Sequence, residues 1–437
     1  MSEWKEYKLG DICDITSSRR IFLNEYVKEG VPFYRSKEII EKAKGNNIST
    51  ELFITNERYD EIKRKNFVPV ENDILITSVG TLGVSYMLLK KDFFYFKDGN
   101  LTWLRNYSNL VYPKYLLYWL RSNIAKEKFN EISIGSTQPA ITIQGLKGLQ
   151  LKLPKHRTQT AIAEILSSLD DKIELNNKIN QELETLAQTL FKKWFIDFDF
   201  PNENGEPYKS SGGEMVDSEL GEIPRGWEVG YLEDVIEFHN GYSFTSKELE
   251  SEFSNESYHV FKMGHIKKGG GLNAEGTKSY FSKSKAQKLS KYILKKGDLL
   301  MCMTDMKGNV ALLGHTALMN EDDKYIVNQR VGLLRPKNDI GIDYPYLYIL
   351  TNSFDFIEEL RSRANSGVQV NLSTNEIKKS KILIAPKSIN EKFDLITKSF
   401  YDKIFEITNQ NETLRNTRDF LLPKLISGEL EINEINN

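Results

Sequence analysis

The stretch TQTAIAEILSSLDDKIELNNKINQELETLAQTLFKKWFIDFDF, residues 158–200, has the residue spacing of one long amphipathic helix. Along it, apolar residues recur in steps of four and three, which places them on a single face. A helix from Gln159 to Lys193 would be about 50 Å long at about 1.5 Å per residue. The residues of this face are Ile162, Leu166, Leu169, Ile173, Asn176, Asn180, Leu183 and Leu190.

Two asparagines interrupt this apolar face. Asn176 and Asn180 occupy places where leucine would give a more stable helix pair. Buried amides at such places fix the register and the choice of partner at a cost in stability. We therefore predict that this central helix packs against one specific partner helix.

A second helix with the same spacing is predicted near the other end of the chain, within residues 387–430. Pro423 and Gly428 predict where this C-terminal helix ends. We predict that it packs against the central helix as a coiled coil. The alternative is two unrelated amphipathic helices, each packed on its own domain. The apolar face of the second helix consists of Phe393, Ile396, Phe400, Ile404, Ile407, Asn411, Leu414 and Leu421.

The blocks of sequence before the two helices resemble each other in an unbroken order. The first opens with Trp4, Leu9 and Asp11, and the second opens with the same spacing at Trp227 and Leu232. Further matches join Asp73 to Asp298, Arg105 to Arg335, Tyr112-Pro113 to Tyr344-Pro345, and Gln138 to Gln369. Chance would scramble the spacing of several weak matches, so the order indicates a tandem repeat.

Each repeat reads as a mixed α/β domain of short strands and irregular loops, followed by one long helix. Residues 201–226, between the repeats, are polar and rich in glycine, proline and serine, as is typical of a linker. The predicted segments are 1–157 for the first domain, 158–200 for the central helix, 201–226 for the linker, 227–386 for the second domain, 387–430 for the C-terminal helix and 431–437 for a tail.

Composition restricts the class of protein. The length of 437 residues predicts two to four domains, and 40% hydrophobic residues suffice for real cores. There is no apolar run of membrane-spanning length and no apolar segment near the N-terminus, so we predict a soluble, cytoplasmic protein with no membrane partner. The two cysteines, Cys13 and Cys302, lie in apolar surroundings and are predicted to be buried thiols.

The net charge of −2 conceals a segregation of charge along the chain. Basic residues outnumber acidic ones in residues 1–157, whereas acidic residues dominate residues 158–215. Residues 262–307 are again rich in lysine. Such local basic regions are typical of proteins that bind a polyanion, although a solvated lysine-rich face is the alternative.

We find no catalytic motif. The sequence lacks the glycine-rich phosphate loop of ATPases and the motifs of a DNA methyltransferase, and its five histidines show no metal-ligand spacing. Asp298, Asp305 and Lys307 form a weak match to part of a metal-dependent nuclease motif, which leaves a free-standing nuclease as a minor hypothesis. We predict no catalytic residue, no metal site and no cofactor in this chain.

Polar loop residues at matching places in the two repeats are the candidates for DNA binding. Arg, Lys, Asn and Gln read base edges, while Ser, Thr and Lys hold phosphates. For Trp194, Phe195, Phe198 and Phe200 we predict core packing at a helix end rather than base stacking. The candidates are Ser17, Ser18, Arg19, Arg20, Arg35, Lys37, Thr77, Ser78 and Gln138 in the first repeat, and Lys262, His265, Lys267, Lys268, Thr304, Lys307, Asn328, Gln329, Arg330, Gln369 and Asn371 in the second.

Several segments together resemble the specificity subunit of type I restriction-modification enzymes. They are GSTQPAITIQGLKGLQLKLP before the central helix, FKKWFIDFDFP and GEMVDSELGEIPRGWEV after it, and LLPKLISGEL near the C-terminus. The resemblance implies two similar α+β target recognition domains separated by two long antiparallel helices, in a pseudo-twofold repeat. Each domain would read one half of a bipartite site on double-stranded DNA.

The resemblance also implies partner subunits. Two adenine-methyltransferase subunits, and in a restriction complex the ATP-dependent translocase-nuclease subunits, would supply the sites for S-adenosylmethionine, ATP and Mg²⁺. This chain would then be a non-catalytic specificity subunit. The competing hypothesis is a coiled-coil interaction scaffold without a DNA role, in which the lysines are simply solvated.

Overall fold

The computed structural model divides the chain into two compact units. The first comprises Met1–Asn176 with Gln410–Asn437, and the second comprises Asn177–Asn409. Both divisions fall inside long helices. The residues that the structure describes are 4–45, 48, 50–135, 137–306, 310–337, 339–366 and 369–432.

The first unit is a mixed α/β domain, as predicted. Its strands are β1 Lys5–Lys8, β2 Asp14–Thr16, β3 Tyr26–Val27, β4 Val31–Tyr34, β5 Phe53–Ile54, β6 Ile74–Thr77, β7 Ser85–Met87, β8 Tyr95–Phe96, β9 Leu101–Arg105 and β10 Gln150–Leu153. Its helices are α1 Leu9–Ile12, α2 Ser36–Ala43, α3 Asn56–Arg64, α4 Pro113–Arg121, α5 Asn123–Ile132 and α6 Ile143–Gly148, and α7 His156–Phe191 is the central helix.

A four-stranded antiparallel sheet in the order β2-β9-β6-β7 forms the centre of this unit. A second sheet, β3-β5-β4-β8, contains a parallel pair between β4 and β8, and β1 pairs with β10. Strand β6 is buried along its whole length because Ile74, Leu75 and Ile76 supply apolar side chains to both faces. Asp73, just before it, accepts hydrogen bonds from the backbone N–H of Val70 and from Nε1 of Trp103.

The second unit repeats this plan after a short hairpin. Its strands are β11 Met215–Ser218, β12 Gly221–Pro224, β13 Glu228–Tyr231, β14 Ile236–Asn240, β15 Ser257–Phe261, β16 Tyr280–Ser282, β17 Leu299–Cys302, β18 Thr304–Met306, β19 Thr316–Leu318, β20 Tyr325–Val327, β21 Val331–Pro336, β22 Asn365–Ser366, β23 Gln369–Asn371 and β24 Lys381–Ile384. Its helices are α8 Leu232–Val235, α9 Tyr344–Thr351, α10 Phe354–Ser362 and α11 Thr374–Lys378, and α12 Lys387–Ser427 is the C-terminal helix.

The strand order confirms the tandem repeat. The sheet β14-β21-β17-β19 of the second unit matches β2-β9-β6-β7 of the first, strand for strand. The parallel pair β15–β20 matches β4–β8, and the pair β13–β24 matches β1–β10. Because the topology is equivalent as well as the sequence order, the two domains are similar α+β folds.

Within each unit, a segment of α7 packs antiparallel to a segment of α12. In the first unit, Nδ2 of Asn176 donates to Oδ1 of Asn411 over 2.9 Å and to Oε1 of Gln410 over 2.7 Å. In the second unit, Nδ2 of Asn180 lies 3.4 Å from the hydroxyl of Thr408. The predicted partner is therefore correct, and the alternative of two unrelated helices is wrong.

Most of the predicted seam residues are shielded from solvent. Ile162, Leu166, Ile173, Asn176, Phe393 and Ile407 are buried, while Leu169, Asn180, Leu183, Leu190, Phe400 and Leu414 are half-buried. Ile396 is a correction, because it is 40% exposed and the fully buried Thr397 takes the inward place. Thr397, four residues after Phe393, lies on the packed face of the helix, whereas Ile396, three residues after it, does not.

The C-terminal helix also runs past Pro423, which the sequence had suggested as its end. Pro423 lies inside α12, and the helix ends at Ser427 before Gly428, whose φ is +80°. A proline near the last turns removes one backbone hydrogen bond, and glycine adopts the left-handed conformation that stops a helix.

The segment predicted as a linker is folded. Strands β11 and β12 form an antiparallel hairpin within it. Tyr208 stacks on Phe200 with ring centroids 4.7 Å apart, and Phe200 lies 5.3 Å from Trp227. Trp194, Phe195, Phe198 and Phe200 are all buried, which confirms their prediction as core residues. The aromatic residues around the polar linker sequence supply the apolar contacts that composition alone did not indicate.

Candidate nucleic-acid interface

In the first unit, loops that are distant in sequence meet around Asn100. The backbone carbonyl of Asn100 accepts hydrogen bonds from the Ser36 hydroxyl at 3.3 Å and the Ser78 backbone N–H at 2.9 Å. The next carbonyl, that of Leu101, accepts from the hydroxyl of Ser17 at 3.4 Å. These bonds bring the loop after β2, the start of α2 and the loop after β6 to the same place.

The loop between α5 and α6 joins them. The N–H of Gly80 donates to the carbonyl of Pro139, and the N–H of Ile141 donates to the carbonyl of Ser78, over 3.0 and 2.8 Å. Gln138 is exposed beside these contacts. The first loop cluster is defined as residues 17–20, 35–37, 77–80, 97–100 and 137–141.

The second unit builds the same framework around Arg330. The backbone N–H of Met303 donates to the carbonyl of Arg330 at 3.3 Å, which matches the bond from Ser78 to Asn100. The backbone N–H of Leu372 donates to the carbonyl of Met303 at 2.9 Å, which matches the bond from Ile141 to Ser78. These equivalent bonds form because both loops follow matching strands of matching sheets. The second loop cluster is defined as residues 240–242, 261–263, 303–305, 328–330 and 369–372.

Further contacts hold the second loop cluster together. The hydroxyl of Thr304 donates to Oδ1 of Asn371 over 2.9 Å. The N–H of Gln329 donates to the carbonyl of Tyr242 over 2.9 Å. These contacts fix the backbone while the side chains of Gln329, Arg330 and Asn371 remain exposed. Fixed backbone with exposed amide and guanidinium groups is an arrangement that can read base edges.

The structure sorts the candidate residues by exposure. One candidate, Lys307, lies outside the described residues. The exposed candidates are Arg19, Arg20, Lys37, Gln138, Lys267, Lys268, Gln329, Arg330, Gln369 and Asn371, and the half-buried ones are Ser17, Arg35, Lys262, Thr304 and Asn328. Ser18, Thr77, Ser78 and His265 are buried.

Three of the four buried candidates, Thr77, Ser78 and His265, serve the fold instead of a DNA surface. Thr77 accepts a hydrogen bond from the backbone N–H of Val84, and the Ser78 hydroxyl lies 2.5 Å from that of Thr102. Nδ1 of His265 accepts from the backbone N–H of Lys262, and burial lowers the pKa of this histidine. A buried imidazole is not accessible to a phosphate at the surface. The sequence had suggested these residues because buried and exposed polar side chains look alike in a loop.

Two of the exposed candidates lie away from the second loop cluster. Lys267 and Lys268 belong to a turn in which the N–H of Gly271 donates to the carbonyl of Thr316, at the start of β19. Burial raises the pKa of Glu184 on α7, and the nearby positive charge of Lys267 opposes this shift. Lys267 therefore lies near α7.

Arginines of the first loop cluster are held in place by acidic and aromatic neighbours. Arg20 forms an ion pair with Asp98 at 2.9 Å, and the guanidinium of Arg19 lies 5.2 Å from the centre of the Phe67 ring. Arg35 binds the buried carboxylate of Glu38 at 3.0 Å, and this hydrogen bond raises the pKa of Arg35. All three keep enough exposure to meet a polyanion, with orientations limited by these contacts.

Sequence reasoning missed several polar residues of both clusters. Ser36 and Asn100 belong to the first loop cluster, and Asn240 in the second accepts a hydrogen bond from the hydroxyl of Thr374 at 3.2 Å. Each lies at or next to the end of a strand or the start of a helix. The sequence does indicate where these residues lie, because the strand ends and helix starts have matching positions in the two repeats. Such matching positions predict where the loops converge.

Two of the three residues in the weak nuclease match, Asp298 and Asp305, have structural partners. The carboxylate of Asp298 is buried and binds Arg335 through two hydrogen bonds of 2.8 Å. Asp305 accepts from the backbone N–H groups of Met306 and Leu312. Across the described part of the chain, no three His, Cys, Asp or Glu side chains are grouped as metal ligands would be. Both cysteines are buried free thiols, as predicted.

A family model described as the type I restriction modification DNA specificity domain matches residues 1–185 and 224–414. The chain belongs to this family. Each loop cluster falls within one of the two matches, so this DNA specificity protein carries two tandem recognition domains. The alternative of a coiled-coil scaffold without a DNA role has no support.

Similar proteins span the whole chain. A type I restriction enzyme specificity subunit of Haemophilus influenzae, HindI, is 27% identical over 98% of this chain and 100% of its own length. The MjaIX specificity subunit of Methanocaldococcus jannaschii is 27% identical over 99% of this chain and 95% of its own. The crystal structure of a type I restriction-modification S subunit from M. genitalium has the same fold, with a TM-score of 0.59, 16% identity and coverage of 99% and 97% of the two chains.

No helix among the described residues has the length and apolar character needed to cross a membrane.

Proposed function

We propose that this specificity protein reads a bipartite site on double-stranded DNA, one half-site with each loop cluster. The observation that carries the proposal is the equivalent hydrogen-bond framework at Asn100 and Arg330, with exposed polar side chains around each. Two equivalent frameworks with different side chains suit two half-sites of different sequence. Exposed basic residues supply phosphate contacts, and amide and guanidinium groups supply base contacts.

The two long helices determine the number of base pairs between the half-sites in this proposal. Helix α7 has 36 residues and α12 has 41. At about 1.5 Å per residue they are about 54 and 62 Å long. One turn of DNA is about 34 to 36 Å, so helices of this length suit two recognition sites separated along one duplex.

The proposed partners are two adenine-methyltransferase subunits and, in a restriction complex, translocase-nuclease subunits. These would bind S-adenosylmethionine, ATP and Mg²⁺, and this chain would direct them to the target without carrying out chemistry. We place the assembly in the cytoplasm.

Two measurements test the proposal. Duplex DNA should shift in an electrophoretic assay with the full chain and its methyltransferase partner, and the affinity should fall steeply as salt rises. Sequencing of methylated adenines in cells that express the complex should give one bipartite motif with a fixed spacer. Affinity that does not depend on salt, or methylation at a continuous motif, would contradict the proposal.

A further inference from the structure

A cleft of about 520 Å³ in the first unit is rich in charged side chains. It lies between the end of α4, the first turn of α5 and the segments of α7 and α12 in that unit. Three cations, Arg121, Lys126 and Arg418, line it together with two carboxylates, Asp170 and Asp419. The excess of positive charge favours an anionic ligand.

The carboxylate of Asp170 forms its hydrogen bonds with residues other than Arg121. It accepts the hydroxyl of Tyr118 and Nη1 of Arg418, both at 2.7 Å. Nη1 of Arg121 remains 3.9 Å from it, which is beyond hydrogen-bond length. Burial lowers the pKa of Arg121, and the nearby charge of Asp170 opposes this shift. A guanidinium has five N–H donors, and a phosphate or carboxylate can accept two of them at once.

The second unit shows that the fold does not need the charge of Arg121. Asn352 occupies the equivalent place, two residues before α10, as Arg121 does before α5. Nη2 of Arg121 donates to the carbonyl of Ser85 on β7, and Nδ2 of Asn352 donates to that of Thr316 on the matching strand β19. A neutral amide therefore supports the matching strand in the second unit.

The ion pair of Asp170 is likewise absent from the second unit. Gln159 and Asn390 are equivalent, because each donates to the carbonyl of the residue five places earlier over 2.9 Å. Eleven residues after them come Asp170 (170 − 159) and Tyr401 (401 − 390). Tyr401 is buried in the apolar core of its unit together with Ala187. At this position of the C-terminal helix, the second unit therefore has a buried tyrosine in place of the paired carboxylate.

We propose that this cleft binds a phosphate group, through Arg121, Lys126 and Arg418. The inference rests on the proposed function and extends it to DNA outside the half-site. Lys126 is exposed in the first turn of α5, where the backbone N–H groups and the helix dipole also favour an anion. Arg418 also pairs with Asp419 at 2.8 Å, so Arg121 and Lys126 are the cations of the cleft with the weakest ionic partners.

The backbone of bound DNA is the favoured source of this phosphate. Helix α5 has ten residues, about 15 Å at 1.5 Å per residue, and its far end leads into the first loop cluster. Successive phosphates on one strand are separated by about 3.4 Å along the duplex axis. In a duplex bound to the first loop cluster, the phosphates about four or five base pairs from the contacted bases are therefore about as far from the cluster as the cleft is.

The test compares the full chain with the double variant Arg121→Asn, Lys126→Gln, each assembled with the methyltransferase partner. The first substitution copies the residue of the second unit, so folding should be preserved, and Lys126→Gln alone serves as a second variant on an exposed side chain. Binding to a mixed-sequence duplex of about 40 base pairs is measured over a salt series. The slope of log affinity against log salt should become shallower by about 0.9 per phosphate lost, and the affinity at low salt should fall.

Lys172→Gln is the matched control. Lys172 is an exposed lysine of α7 in the same unit, outside the cleft, and its removal should leave the slope unchanged. A thermal shift with inorganic phosphate at constant ionic strength identifies a free phosphate as the source, if it stabilises the wild type and not the variant. The inference is overturned if the variant and the wild type have the same salt slope and the same thermal shift with phosphate. It is also overturned if the variant loses binding to the methyltransferase but keeps the salt slope of the wild type. If the wild type does not bind DNA at all, the proposed function itself fails.

Discussion

At the scale of single residues, the loop clusters separate side chains that hold the backbone from side chains that can meet a ligand. Asn371 illustrates both roles, because its Oδ1 accepts from Thr304 and its Nδ2 donates to the carbonyl of Gln369 at 3.3 Å. The backbone of Arg330 is fixed by Met303, while its guanidinium is exposed. Such fixed positions reduce the entropy lost when DNA binds.

Arg330→Ala tests this assignment. The variant should lose about 1 to 3 kcal/mol of discrimination at one base of one half-site, with the other half-site unchanged. Methylome sequencing with wild-type and variant complexes measures the change. Lys268→Ala, at an exposed lysine outside the second loop cluster, is the control and should leave the motif intact. A uniform loss over all sequences would instead assign Arg330 to a phosphate.

One buried carboxylate gives the second unit a pH-dependent stability. Asp394 of α12 accepts the backbone N–H of Asp343 at 2.6 Å and of Tyr346 at 3.4 Å, which ties the C-terminal helix to the start of α9. Its side chain is 6% exposed, and burial raises its pKa from 3.8 to about 7. The folded state therefore binds the proton more tightly than the unfolded chain does.

It follows that the stability contributed by protonated Asp394 is complete below about pH 4 and is lost as the pH rises through about 7. Asp394→Asn removes the charge and keeps an acceptor. Its free energy of unfolding should exceed that of the wild type by on the order of 2 kcal/mol at about pH 8, and the difference should vanish near pH 4. Urea denaturation at a series of pH values measures it, and a difference that is constant with pH would contradict the assignment.

At the scale of the helices, apolar packing supplies stability and buried amides supply register. The contacts of Asn176 with Asn411 and Gln410 replace what could be apolar packing, so the helix pair is less stable than its length allows. An offset of one turn would separate these amides from their partners. The amides therefore select one alignment of α7 with α12.

Asn176→Leu should lower the free energy of unfolding by about 1 to 3 kcal/mol, because the buried amide of Asn411 loses a donor. The double variant Asn176→Leu, Asn411→Leu should recover most of this loss, since both polar groups are then gone. A double-mutant cycle by thermal or urea unfolding measures the coupling. Additive effects of the two substitutions would show that the amides do not interact.

Lengthening both helices should change the spacer alone. Four residues inserted into α7 between Leu183 and Leu186, and four into α12 between Ile404 and Ile407, add about 6 Å to each. This corresponds to about two base pairs at 3.4 Å each. The methylated motif should keep both half-sites, and its spacer should become longer by about two base pairs. The same insertion in α7 alone is the control, and it should destabilise the protein by misaligning the pair.

At the scale of the whole molecule, duplication explains why one chain has two recognition domains. The same strand orders and the same loop framework occur twice, with a half-buried asparagine at Asn100 and an exposed arginine at Arg330. Each domain encloses its own core, so its loops can vary without disturbing the other domain. This independence is what a two-part recognition protein requires.

Replacing residues 227–386 with the matching block of a relative should therefore change one half-site only. The other half-site and the spacer should stay as they are, because the first loop cluster and both helices are unchanged. Methylome sequencing of the chimera identifies the motif. The exchange of residues 4–153 is the reciprocal control, and a change of both half-sites in either chimera would exclude independent domains.

The sequence by itself determined the repeat, the two helices and their pairing. These features depend on local spacing, such as the steps from Ile162 to Ile173, and on residues with an unmistakable local effect, such as Asn176 and Gly428. It also determined the buried aromatic residues at the end of α7, because four large apolar rings in a short segment must leave water.

The tertiary structure alone decided which polar loop residues meet and which are exposed. Thr304 and Asn371 are 67 residues apart, and Ser17 and Leu101 are 84 apart, so strand pairing and not local sequence brings them together. The burial of Thr77 and His265, and the charged cleft at Arg121, depend on contacts of the same kind. Local pattern specifies an element, whereas the surroundings of a side chain arise only when distant elements pack.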